Sequence, residues 1–142
     1  MYKLGLDAKL FYGVAGSTAK SELKNVKDVT LSLETGEADI TTRAAEGWRT
    51  TAATLKEGSV EFEMLWDTED AGFGAIKSAF FSNEPLALFV SDGAGSGLDA
   101  DFVVTSFSRS EPLEEALTVS VTCKPTLANR APTWTDSASI GA

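Results

Sequence analysis

Between Ser59 and Asp67 the chain reads SVEFEMLWD, and its polarity switches at almost every residue. In an extended chain Val60, Phe62, Met64 and Trp66 fall on one side, and Glu61, Glu63 and Asp67 on the other. A helix would scatter these apolar residues around its axis, whereas a strand points alternate side chains to opposite faces. The stretch can therefore bury one face only as a strand. The same division recurs in Val26–Glu34, where Val29, Leu31 and Leu33 oppose Asp28, Thr30, Ser32 and Glu34. It recurs again in 100–109 (ADFVVTSFSR) and in 115–124 (EALTVSVTCK), where Val119, Val121 and Cys123 oppose Thr118, Ser120 and Thr122. Four strands thus pair an apolar face with a hydroxyl or acidic one, and the fold is predicted to be mainly β.

Shorter signals fill in the rest. Asp7–Tyr12 reads as a strand ended by Gly13, with a small-residue turn over 13–21, and Leu86–Ser91 reads as another strand. One helix is predicted: Thr68 can cap it, Glu69 and Asp70 suit its first turn, Phe73, Ile76 and Phe80 share a face, and Asn83-Glu84-Pro85 ends it. Gly72 and Gly74 each weaken it by about 1 kcal/mol, so it needs a sheet to lie on. Residues 110–114 are short enough for an antiparallel hairpin turn. The polar segment 36–56, with its lone Trp48, reads as a long loop, and 125–142 as a C-terminal arm. The 142 residues suit a single domain over 1–142.

Charge and missing residue types narrow the chemistry. Twelve basic against twenty-one acidic residues give a net charge of −9, which repels polyanions and argues against a sequence-specific DNA binder. The chain has no histidine and a single cysteine, so histidine-assisted nucleophiles, histidine-ligated zinc and thiolate cages are excluded. Cys123 reads as a small buried hydrophobe. The N-terminus has no apolar signal core and no stretch approaches a membrane span, so the reading is a soluble protein made in a cytoplasm, with no membrane binding.

Three motifs fail on inspection. GVAGSTAKS, 13–21, lacks the glycines that a phosphate-binding loop needs at Val14 and Ala19. Asp92, Asp99 and Asp101 lack the spacing and terminal glutamate of a calcium loop. Glu61 and Glu63 lie on one strand face rather than across a sugar cleft, so they read as a solvated acidic face rather than a glycosidase pair. The expectation is no catalytic residue, no metal and no cofactor. Trp48 has two readings, a core anchor for its loop or an exposed aromatic for a partner's pocket.

The run ADITTRAAEGWRTTAATLKEGSVEFEMLWDTEDAGFGAIKSAFFSNEPLALFVSDG, followed by DADFVVTSFSRSEPLEEALTVSVTCKPT, resembles the tail tube protein (major tail protein) of long-tailed bacteriophages. The resemblance covers roughly residues 7–127; its strongest parts are GWRTTAATLKEGSVEFEM and the closing V-x-V-x-C strand. It implies two packed antiparallel sheets, a β-sandwich or barrel flanked by one α-helix, with four strands per subunit joining an inner barrel between subunits. It further implies hexameric rings stacked into a tube, a conduit for double-stranded DNA that passes without specific binding.

On that footing the lumen would be lined by Thr30, Ser32, Glu61, Glu63, Thr118 and Ser120. Asp39, Arg43, Glu46, Trp48 and Arg49 of the 36–56 segment would contact neighbouring subunits, their mixed charges pairing across the boundary. Partners implied are further copies of the chain, a tape measure, a tail terminator and baseplate or tip proteins. The location implied is the phage tail of the virion, after assembly in the host cytoplasm. Many relatives add an immunoglobulin-like domain, and none is expected here. A rival reading from the residues is a monomeric β-sandwich that binds carbohydrate or peptide through Trp48 and Trp134, with a carboxylate-based hydrolase behind it.

Overall fold

In the computed structural model, which describes residues 4–111, 113–126 and 130–136, the alternating segments pair into one antiparallel sheet. Its strands are β1 (Lys9–Val14), β2 (Ser21–Glu22), β3 (Val26–Asp39), β4 (Thr51–Leu65), β5 (Leu86–Ser91), β6 (Gly97–Ser110), β7 (Thr118–Pro125) and β8 (Thr133–Thr135), with the helix α1 (Ala71–Ser82) between β4 and β5. The order across the sheet is β2-β1-β5-β6-β7-β4-β3, and β8 joins β6. Strand β6 belongs to two layers. Its first half pairs with β5 and β8, its second with β7, and Phe102 is opposite both Leu86 and Pro125. The two packed sheets implied by the sequence are thus halves of one curled sheet: a back half of β2, β1, β5 and the start of β6, and a front half of β6, β7, β4 and β3.

The core lies between these halves and under α1. Val60, Phe62 and Met64 of β4 and Val119, Val121 and Cys123 of β7 meet Leu88, Ala100 and Phe102 of the back half, with Phe73 and Ile76 of the helix closing the space. Each large side chain so buried contributes about 1.5–3 kcal/mol, which is what fixes the register of β4 against its neighbours. The helix is capped by Asp70 rather than Thr68: its carboxylate accepts the Phe73 N–H at 2.9 Å. Asn83 ends it in the left-handed conformation, φ 54°, and donates back to Ala79 and Phe80. Gly72 is there for contact, because a Cβ would collide with Leu23 and press on Tyr12.

Two sequence expectations need correction. The segment 36–56 is mostly strand: β3 runs on to Asp39 and β4 begins at Thr51, leaving only 40–50 as loop. Small polar residues hid this extension, since an exposed two-stranded ribbon needs no apolar stripe. The segment 125–142 is also more than an arm. Its described part contains β8, which pairs with Gly97–Asp99, and Arg130, which reaches into the back half. Residues 127–129 and 137–142 of that expectation lie outside the described residues.

Candidate assembly surface

Pairing registers decide which side chains of the front half share a face. Glu61 is opposite Thr30 on one side and Thr122 on the other, and Glu63 is opposite Ser120. Ser32 is opposite Ser59, Leu65 opposite Thr118, and β7 carries the rows on to Ser106, Ser108 and Ser110 of β6. All six residues proposed from the sequence, Thr30, Ser32, Glu61, Glu63, Thr118 and Ser120, therefore lie together on the face turned away from the core. Sequence reasoning missed Glu57, Ser59, Ser106 and Ser108 on this face, because strand-to-strand register is invisible to alternation within one strand. It also missed two lysines. A bulge at Asp28, φ 53°, puts Lys27 opposite Glu63, and Lys124 lies by Glu34 and Glu57 at the other end. The face thus carries four glutamates, two lysines and a field of hydroxyls.

Both edges of the front half are open. Strand β3 is last in the sheet order. On β6, the side that holds β5 along 97–102 has no strand partner along 103–110 among the described residues. Unpaired edges of this length are templates for another chain. Exposed apolar residues flank them on the core side: Leu33 of β3 is 55% exposed and Phe81 is 71% exposed beside β6.

At the far end of the β3–β4 ribbon, the loop 40–50 is folded on itself. The Thr41 N–H donates to the Asp39 carboxylate at 2.9 Å, and the Thr50 N–H donates to the Thr41 hydroxyl at 2.9 Å. Hydrogen bonding from Thr41, its hydroxyl first and its N–H second, holds the Asp39 carboxyl below its ordinary value. A short 3-10 turn, Arg43–Ala45, is followed by Glu46 and Gly47 at φ 53° and 88°. Trp48 is 76% exposed, which leaves the exposed reading and removes the core anchor. Asp39, Arg43, Glu46, Trp48 and Arg49 gather at this tip, and no ion pair among the described residues involves them.

The discarded motifs have structural roles. The turn after β1 does hold an anion, but one of the protein's own. The Gly16 N–H donates to both oxygens of the buried Asp101 carboxylate, at 2.9 and 3.1 Å, and Thr18 donates to Asp99 at 2.8 Å. Arg130 bridges the two carboxylates, 3.0 Å from Asp101 and 2.8 Å from Asp99. Asp92 instead shapes its own turn, accepting the N–H groups of Ala94 and Ser96. Cys123 is buried, which pushes its thiol up to about 12.

A family model described as phage tail tube protein matches residues 12–128. Among solved structures, the chain is similar to a subunit from the tail of an empty gene transfer agent particle refined with C6 symmetry, at TM-score 0.73 and 17% identity, covering 95% of this chain and 100% of that one. It is similar to the SPP1 tail tube, at TM-score 0.74 and 15% identity, covering 94% of this chain and 79% of that one. A baseplate chain of the anti-feeding prophage matches at TM-score 0.54 and 4% identity, over 84% of this chain and 88% of that one. No protein of curated function matches.

Proposed function

The chain belongs to the phage tail tube protein family, a family of structural proteins, and from that premise we propose that it forms six-membered rings whose front sheets close into one barrel around a DNA channel. The observation that carries this is the pairing of a hydrated, core-averted face with two open edges on the same four-stranded half-sheet. Rotation about a ring axis preserves strand direction. Because the four strands alternate in direction, β6 of one copy meets β3 of the next antiparallel, and the ladder continues without a break. Closure removes both edges at once. The six-fold order is that of the gene transfer agent tail, and stacking of rings through the 40–50 tips accounts for the exposed Trp48.

Inside such a barrel the face with Glu61 and Glu63 lines the lumen. Each phosphate neutralised by a lysine or arginine adds to a salt-sensitive grip on DNA, so a channel dominated by carboxylates and hydroxyls lets it slide. The two lysines of the face each sit among glutamates, which keeps the surface net negative. The chain then has no catalytic role. Its other contacts are tape measure, terminator and baseplate proteins at the tube's ends, in a virion assembled in the host cytoplasm. A carbohydrate- or peptide-binding monomer would leave the long open edges unexplained.

The test is a virion carrying the double variant Glu61→Lys with Glu63→Lys. Fold stability should change by no more than about 0.5 kcal/mol for each such surface position. Genome ejection should slow and stop short, and recover in part at 1 M salt, where the Debye length falls to about 3 Å. Unchanged ejection from normal tails would put these glutamates outside the lumen.

A further inference from the structure

The core side of the front half carries one more pair of complementary features, one at each edge. At the β3 edge the curled sheet fails to close on itself, and a groove of about 740 Å³ opens between β3 and the start of β1. Leu6, Leu10, Leu23, Val26, Val29 and Leu31 line it. At the β6 edge the helix ends in an aromatic corner. Phe80 stacks on Phe107 with centroids 5.8 Å apart, and Phe81 lies edge-on to both, 5.2 and 6.4 Å away. Phe81 keeps most of its ring in solvent. Covering the apolar wall of the groove and the exposed ring would each add to the stability of an interface.

We propose that the groove of one copy receives Phe81 of the next copy around the ring. The inference rests on the edge-joined ring above and adds a second, side-chain layer beneath the strand pairing. Two observations select this occupant. Both features lie on the core side, so joining β6 to β3 brings them to the same side of the junction. They also lie at one level: the row of Phe107 runs through Val121 and Phe62 and meets β3 between Leu31 and Val26, where the groove opens.

The contact is head-to-tail, so it can be read by cross-linking a mixture. Val29→Cys subunits in excess are assembled with Phe81→Cys subunits and treated with a short bismaleimide; the buried Cys123 is inaccessible to it. Dimers should form in the mixture and in neither variant alone. Separately, Phe81→Ser should fold normally by circular dichroism and raise the concentration needed for assembly about 10-fold or more. Normal tubes with no cross-linked dimer would overturn this contact and leave the tube reading standing. Dimers from Phe81→Cys alone, or capture of Val29→Cys by a Ser139→Cys on the same chain, would each assign a different occupant and overturn it. A wild-type chain that never leaves the monomer would overturn both proposals.

Discussion

The two halves of the sheet treat their polar groups in opposite ways. In the back half, Asp99 and Asp101 are buried and each finds its partners within the chain: Gly16 and Thr18 from the turn after β1, and Arg130 from the C-terminal segment. In the front half, the acids of the outer face are exposed, with Glu63 half-buried, and among the described residues they have no ion-pair partner and the edges of the half-sheet have no strand neighbour. The back half satisfies its buried charges within one copy. In the proposed ring the front half would gain the strand neighbours it lacks. The contrast teaches that buried polarity fixes the fold here, while exposed polarity and open edges are what the proposed assembly would use.

The comparison breaks most visibly at the ribbon tip. Replacing residues 40–50 by Asn-Gly is compatible with the fold, because Asp39 and Thr51 are already paired and a two-residue turn can join them. The variant should unfold like the wild type in denaturant and yet form no tubes in electron micrographs. Normal tubes would remove the tip from assembly.

The converse experiment removes a back-half charge. Asp101→Ala leaves Arg130 short of a partner and frees the Gly16 N–H, at a cost of about 3 kcal/mol in urea unfolding. An effect under about 1 kcal/mol would show that the cluster is not what holds the turn and the C-terminal segment together.

A smaller effect sharpens the comparison inside the front half itself, whose core face is as dry as the back. The Cys123 thiol is raised in the folded state to about 12, from an ordinary value of 9.0. Unfolded chains therefore lose this proton first as pH rises. The stability that comes from keeping the thiol neutral is intact below about pH 9 and is lost as pH climbs toward 12, with a slope of up to about 1.4 kcal/mol per unit. Urea midpoints measured between pH 8 and 10.5 should fall more steeply for the wild type than for Cys123→Ala. Parallel slopes would mean the thiol is solvated.

Alternation made the front strands legible in the sequence, because burial of one face imposes a period that the residues must obey. Val60, Phe62 and Met64 could hardly have been read otherwise. The back cluster was not legible. Asp99 ends a glycine-rich run and Asp101 opens a strand whose alternation does not signal that its carboxylate is buried, and their partners stand 81, 85 and 29 residues away. The ribbon was missed because its extension is stabilised by backbone pairing rather than by apolar contacts, and β8 because three residues are too few to show a period. For the candidate site, sequence gave the kinds of residue, while register supplied their company, including the two lysines.

The pairing register also limits how a lineage can alter this gene. A single-codon insertion in β4 or β7 that no bulge absorbs would turn the strand beyond it over, sending glutamates or hydroxyls into the core and valines to the water. Within the front half, length changes interrupt no row in 40–50 or in the connection between β6 and β7. Relatives should therefore differ in length at those two places, while substitutions drift along the hydroxyl rows between them.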